Sequence, residues 1–152
     1  EEVWLERNPG DNSSVHLIDM PITPSLWHSS ELAKKWAVIR QVRRVVTGAL
    51  ELERRDKNIG SSLEAAPLVY VTTDVAEILK SVAFADLCIT SSIEIDTGEA
   101  PEAAFSLEDT AGVSVSFAKA VGRKCNRCWK ISPDVGSHSH PEVCSRCNSA
   151  LK

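Results

Sequence analysis

Apolar residues recur every third or fourth position through the middle of the first half of the chain. Leu32, Trp36, Ile39, Val42, Val46, Ala49 and Leu50 define one stripe, continued by Glu53, so residues 30–57 are predicted as a long amphipathic helix with one buried face. Ser29 or Ser30 can cap its start, and Asn58-Ile59-Gly60 is predicted to end it, with Gly60 taking the left-handed exit. Arg40 and Arg44 lie four apart on a flank of the stripe and can reach one external object. Ahead of the helix the period is weak. NPGDNSS reads as a turn-rich loop, VHLIDMP as a short extended stretch stopped by Pro21 and Pro24, and Trp4 and Trp27 as lids on a small core.

After residue 60 the period changes. PLVYVTT is predicted as a strand. DVAEILKSVAF is predicted as a helix capped by Asp74, with Val75, Ile78, Leu79 and Val82 on one face. DLCITSSIEI (Asp86 to Ile95) and VSVSFAKA (Val113 to Ala120) read as two further strands, with an exposed acidic loop from Asp96 to Thr110 between them. Cys88 is expected in the first of these strands as a small buried hydrophobe. The last thirty residues are polar and poor in apolar side chains, too few to hold a fold without a staple. The expected class is α+β in three parts: a helical segment over 1–62, a small α/β unit over 63–120, and a stapled module over 121–152. The first residues, EEVW, read as the tail of a helix, so a fragment of a longer protein is expected.

Composition adds little, since 43% hydrophobic and 25% charged residues are ordinary for a globular chain. No run approaches the ~18 apolar residues of a membrane span, and the acidic, polar start is not a signal peptide. Charge changes the picture more. The net of −4 divides into −4 over residues 1–30, +4 over 31–57, −8 over 58–120 and +4 over 121–152. Two basic segments around an acidic one suggest a polyanion touching part of the surface, and nucleic acid is the favoured class.

The candidate chemistry is in KCNRCWKISPDVGSHSHPEVCSRC. Cys125 and Cys128 are separated by two residues, as are Cys144 and Cys147, with fifteen residues between the pairs. A Cys-x-x-Cys turn aims two sulfurs at one point, and two such turns complete a tetrahedron. Arg123, Lys124, Arg127, Lys130 and Arg146 would offset the charge of four thiolates on one dication. An odd cysteine count and no secretory signal disfavour disulfides, and a second pair is redundant for a redox site. Zinc in a closed structural site is expected, with iron the alternative the same sulfurs could hold. His138 and His140 are expected to face solvent or phosphate. Arg127 and Trp129 flank Cys128 and could form a stacking platform for an unpaired base; Trp129 could equally pack against its own module.

KCNRCW followed by HPEVCSRC resembles the C-terminal zinc-binding module of bacterial and organellar isoleucyl-tRNA synthetases. EEVW with SVHLIDMP looks like the end of that family's helical anticodon-binding domain, and WAVIRQVRRVVTGALELERRDKNIGSSLEA resembles the long helix that follows. The resemblance implies one structural zinc held by Cys125, Cys128, Cys144 and Cys147. It implies the isoleucine tRNA anticodon stem-loop and the rest of the synthetase as partners, with no membrane. It also implies the cytoplasm, or an organellar matrix if the parent is organellar. Arg127 and Trp129 fall where the family contacts the anticodon loop; Arg40, Arg43 and Arg44 are candidates for the tRNA backbone on charge and helix geometry. The family is a class I ligase that activates isoleucine with ATP, but its HIGH and KMSKS signatures have no counterpart here, nor is there a Gly-rich phosphate loop or an editing site. The chain alone is therefore not expected to catalyse. Two other readings remain: the related four-cysteine finger of DNA-repair glycosylases of the formamidopyrimidine type, and a structural zinc module for protein–protein contact.

Overall fold

The computed structural model describes residues 1–10 and 14–151. Part of the predicted NPGDNSS loop, residues 11–13, lies outside the described residues. The chain forms two compact units, Glu1–Glu31 and a larger one from Leu32 onward.

In the first unit, Glu2–Arg7 forms the short helix α1. VHLIDMP is not extended throughout as predicted. Val15–Leu17 winds into a 3-10 turn, because the Ser14 hydroxyl accepts from the His16 N–H and caps it. The predicted lids also differ: Trp4 is half-buried, but Trp27 is 76% exposed.

The long helix is α2, Ser30–Arg55, and its buried residues are Ile39, Val42, Val45, Val46, Ala49 and Leu50. Its exit is not at Gly60. Lys57 takes the left-handed conformation (φ 60°), the Asn58 N–H reaches the Glu53 carbonyl at 2.9 Å, and the Lys57 N–H reaches Arg54 at 3.1 Å. This is a Schellman closure, which requires the left-handed residue directly after the helix cap, three positions before the glycine.

The α/β body follows. β1 (Leu68–Tyr70) is central, pairing in parallel with β2 (Glu94–Asp96) and antiparallel with β3 (Ser114–Ser116), and helices α3 (Thr73–Lys80) and α4 (Phe84–Cys88) cross between β1 and β2. Helix α3 begins two residues earlier than predicted: Thr72 holds the cap position and Asp74 lies in the first turn. Asp86 to Ile95 is not one strand. Its first residues complete α4, which ends on Ile89 at φ 58° with the Thr90 N–H on the Ala85 carbonyl, a second Schellman closure. The i,i+4 pair Phe84 and Cys88 thereby enters the core, and Cys88 is buried as expected, though from a helix. The β-branched Ile89 and Thr90 raised the strand propensity that tertiary packing overrode.

One hydrophobic core joins α2 to the sheet and to both small helices, through Val46, Leu50, Val69, Leu79 and Val115 among others. A second, smaller cluster contains Val135, Val143 and the cysteines. There β4 (Arg123–Lys124) and β5 (Ile131–Ser132) form a two-stranded ribbon, followed by the short helix α5 (Ser145–Ser149). Gly122, at φ 126°, lets the ribbon start against Ser132: a Cβ there would meet the Ser132 carbonyl carbon at 2.3 Å.

Candidate metal centre and its surface

The first cysteine pair sits in the turn between β4 and β5, where the Trp129 N–H donates to the Cys125 carbonyl at 2.9 Å and the Cys125 N–H to the Lys130 carbonyl at 2.8 Å. The second pair straddles the start of α5. All four sulfurs lie within 4.8 Å of one another. Sulfurs at tetrahedral corners ~2.3 Å from a shared centre are about 3.8 Å apart, and the Cys128 and Cys144 Sγ atoms are 3.7 Å apart. The four-sulfur donor set thus fits one structural zinc ion. Four thiolates would fill its shell and leave no position for water.

The surroundings favour thiolate at Cys125, whereas burial pushes the Cys128 and Cys144 thiols up. Burial pushes the Cys125 thiol up, but the backbone N–H groups of Cys128, Cys144 and Arg127 outweigh it and bring it down to about 6. The Cys144 N–H lies 3.4 Å from Cys125 Sγ. Arg127 turns a guanidinium nitrogen back towards Cys147 Sγ at 3.7 Å, so part of its charge serves the sulfurs.

The two histidines of the intervening loop stand outside the cluster, and each has a protein partner. His138 Nε2 meets Asp134 at 3.1 Å, and His140 Nδ1 meets the buried Asn148 at 2.9 Å. Asp134 also accepts from the Ser145 N–H at 2.7 Å and from the Ser132 hydroxyl. These bonds, the Ser132 hydroxyl foremost, hold its carboxyl well below the usual range and tie the hairpin to α5.

Trp129 stands out from this scaffold, 61% exposed, with the Lys124 ammonium 5.4 Å from its ring centroid. Its φ is 66°, a region bulky side chains rarely enter, so the closed turn dictates where the indole sits. Of the helix arginines, Arg40 is exposed, Arg43 donates to the Leu87 carbonyl at 2.7 Å, and Arg44 pairs with Asp109 at 2.7 Å.

Three residues around the module gave no signal in the sequence. Asp86 of α4 accepts from Lys130 and lies 3.5 Å from Arg146, one cation from each cysteine pair's segment. Ser91 donates its hydroxyl to the Leu63 carbonyl and accepts from the Ile131 N–H at 2.7 Å. Glu64 accepts from the Gly60 N–H at 3.2 Å and lines a hollow facing Trp129.

Among known proteins, residues 122–150 match a family described as the zinc finger found in FPG and IleRS. The chain is 54% identical over 152 residues to the isoleucine–tRNA ligase of Ruegeria pomeroyi, which covers 99% of this chain. It is 50% identical to that of Bartonella henselae and 49% to that of Brucella abortus, each over the full chain. The chain spans 16% of the length of these relatives. From its first helix to its zinc finger, the chain is a homologue of one segment of the isoleucine–tRNA ligases.

Proposed function

We propose that the chain is the C-terminal, tRNA-contacting segment of an isoleucine–tRNA ligase, the enzyme that activates isoleucine with ATP and transfers it to tRNA. In this reading Cys125, Cys128, Cys144 and Cys147 ligate one zinc ion. The ion acts as a cross-link between two turns, and what it presents is Arg127 and Trp129 for the anticodon loop. The observation that carries the reading is the exposed Trp129, aimed outward by a turn that the metal centre closes. Stacking on an aromatic ring is worth about 1–3 kcal/mol per base. Basic side chains would neutralise phosphates and set the register of the loop. Arg40, Arg43 and Arg44 are the proposed backbone contacts; Arg40 can engage a phosphate as it stands, whereas Arg43 and Arg44 would exchange an internal partner for one. Reading of the anticodon would pass to an active site elsewhere in the ligase.

The glycosylase alternative shares the finger, but the whole-length similarity to isoleucine–tRNA ligases favours the synthetase reading. No helix among the described residues is long and apolar enough to cross a membrane. The test compares zinc-loaded wild type and Trp129→Ala for binding of isoleucine tRNA and of the same tRNA with an altered anticodon. Wild type should prefer the native anticodon, and the variant should lose roughly 5- to 150-fold in affinity for it. If neither the anticodon nor the tryptophan matters, the assignment fails.

A further inference from the structure

Between the Ser61–Glu64 turn that follows α2 and the first cysteine knuckle lies a hollow of 290 Å³, lined by Ser61, Leu63, Glu64, Lys124, Trp129 and Ile131. That is near the lower end of the volumes that hold small molecules. Its two walls come from segments more than fifty residues apart in sequence, yet they are tied directly to each other. The Ser91 side chain bonds the Leu63 carbonyl on one wall and the Ile131 N–H on the other. Lys130, next to Trp129, is held by Asp86, which also faces Arg146 of the second cysteine pair. The hollow is therefore preformed by the body and the metal module together, rather than opened by a mobile loop.

Its lining has a consistent chemistry. The indole of Trp129 offers a flat π-face that is reachable from solvent, and Leu63 and Ile131 supply an apolar floor. The Lys124 ammonium lies over one face of the ring, 5.4 Å from its centroid, which leaves the other face for a base and puts a cation within reach of that nucleotide's phosphate. Within the same lining, the Glu64 carboxylate already accepts one backbone N–H through Oε2, and a second acceptor oxygen remains on the same group. A flat ring, a cation for a phosphate and an acceptor for an exocyclic amine match a nucleotide with an amino group on its base edge.

We infer that this hollow receives one unpaired RNA base, stacked on Trp129, and that Glu64 selects bases that present an amino donor, disfavouring uracil. The inference rests on the RNA-facing role proposed for Trp129 and adds Glu64 as a specificity determinant. A carboxylate accepts from the cytosine amino group, whereas uracil offers it a single N3–H flanked by two carbonyl oxygens that repel it.

The experiment titrates the zinc-loaded chain with oligocytidylate and oligouridylate of equal length, read by fluorescence anisotropy. Matched length keeps the phosphate contribution equal, so the ratio of affinities reports the base. Wild type should favour oligocytidylate at least about fivefold. Glu64→Gln preserves an oxygen for the Gly60 N–H but adds a donor, and should reduce the ratio to near one while two-dimensional amide spectra show the fold intact. Trp129→Leu should weaken both oligonucleotides. Equal affinity in wild type, no binding of either, or an undiminished ratio in Glu64→Gln overturns the inference. Those results would leave the tRNA reading standing if Trp129→Ala still weakens tRNA. Loss of the Trp129 effect on tRNA would instead remove the premise itself.

Discussion

Lys57, Ile89 and Trp129 all have positive φ without being glycine, and the reason differs among them. Lys57 and Ile89 each close a helix, where the left-handed turn costs a side-chain residue roughly 1–2 kcal/mol that glycine would not incur. At the exposed position 57, Lys57→Gly should raise stability by about 1 kcal/mol in a urea titration at unchanged slope. Trp129 closes no helix; its conformation comes from the cysteine turn and leaves a large ring 61% exposed, with the Lys124 ammonium over it. Gly122 shows the converse. There Gly122→Ala puts a methyl group into the Ser132 backbone, and should weaken zinc retention against a competing chelator by more than about tenfold, as expected if ~1.4 kcal/mol or more of strain falls on the folded module.

Among the elements, α2 organises the body. One stripe of it enters the core, and the acidic loop before β3 returns to its flank. Phe105 lies on Gly48, where an added Cβ would come within 2.9 Å of the ring, and Asp109 meets Arg44. The Arg44 guanidinium beside Asp109 holds its carboxyl below the ordinary range. A depressed folded pKa gives stability that is present above the unfolded value near 4 and is lost as the pH falls through the folded one. Asp109→Asn should accordingly lower the thermal midpoint at neutral pH, with the difference from wild type closing on acidification below about pH 4. The pair is exposed, so the shift should also shrink in high salt. The periodicity of α2 was plain in the sequence because an amphipathic helix writes its buried face locally. The misreading of Asp86 to Ile95 has the opposite origin. Local β-propensity was genuine, but burying Phe84 and Cys88 against a distant sheet was worth more.

At the scale of the molecule, the body and the metal module have separate cores joined through polar contacts at Asp86 and Ser91. The module's cluster consists of four cysteines and two valines within reach of one another, too little apolar surface to persist without the ion. Cys144→Ser, or treatment with a strong chelator, should therefore unfold about the last thirty residues while amide protection in α2 and β1 survives. Elemental analysis of the native chain should find close to one zinc. Asp86→Asn should leave that zinc content unchanged but lower tRNA affinity by loosening how the Trp129 face is held. Restored affinity in the charge swap Asp86→Lys with Lys130→Asp would identify the pairing itself as the cause.

The metal centre and its neighbouring Arg127 and Trp129 were legible in sequence because both knuckles are local: two residues between ligands already dictate the turn and the direction of the sulfurs. The same is true of the α2 stripe. Nothing local joins Ser61–Glu64 to Trp129, or Asp86 to Lys130 and Arg146, since those residues meet across 44 to 68 positions of chain and only after the helix α4 has formed where a strand was expected. A spacing rule reports the residues a short turn can bring together. Which wall faces the tryptophan, and which carboxylate steadies it, follows from packing free energy summed over the whole body.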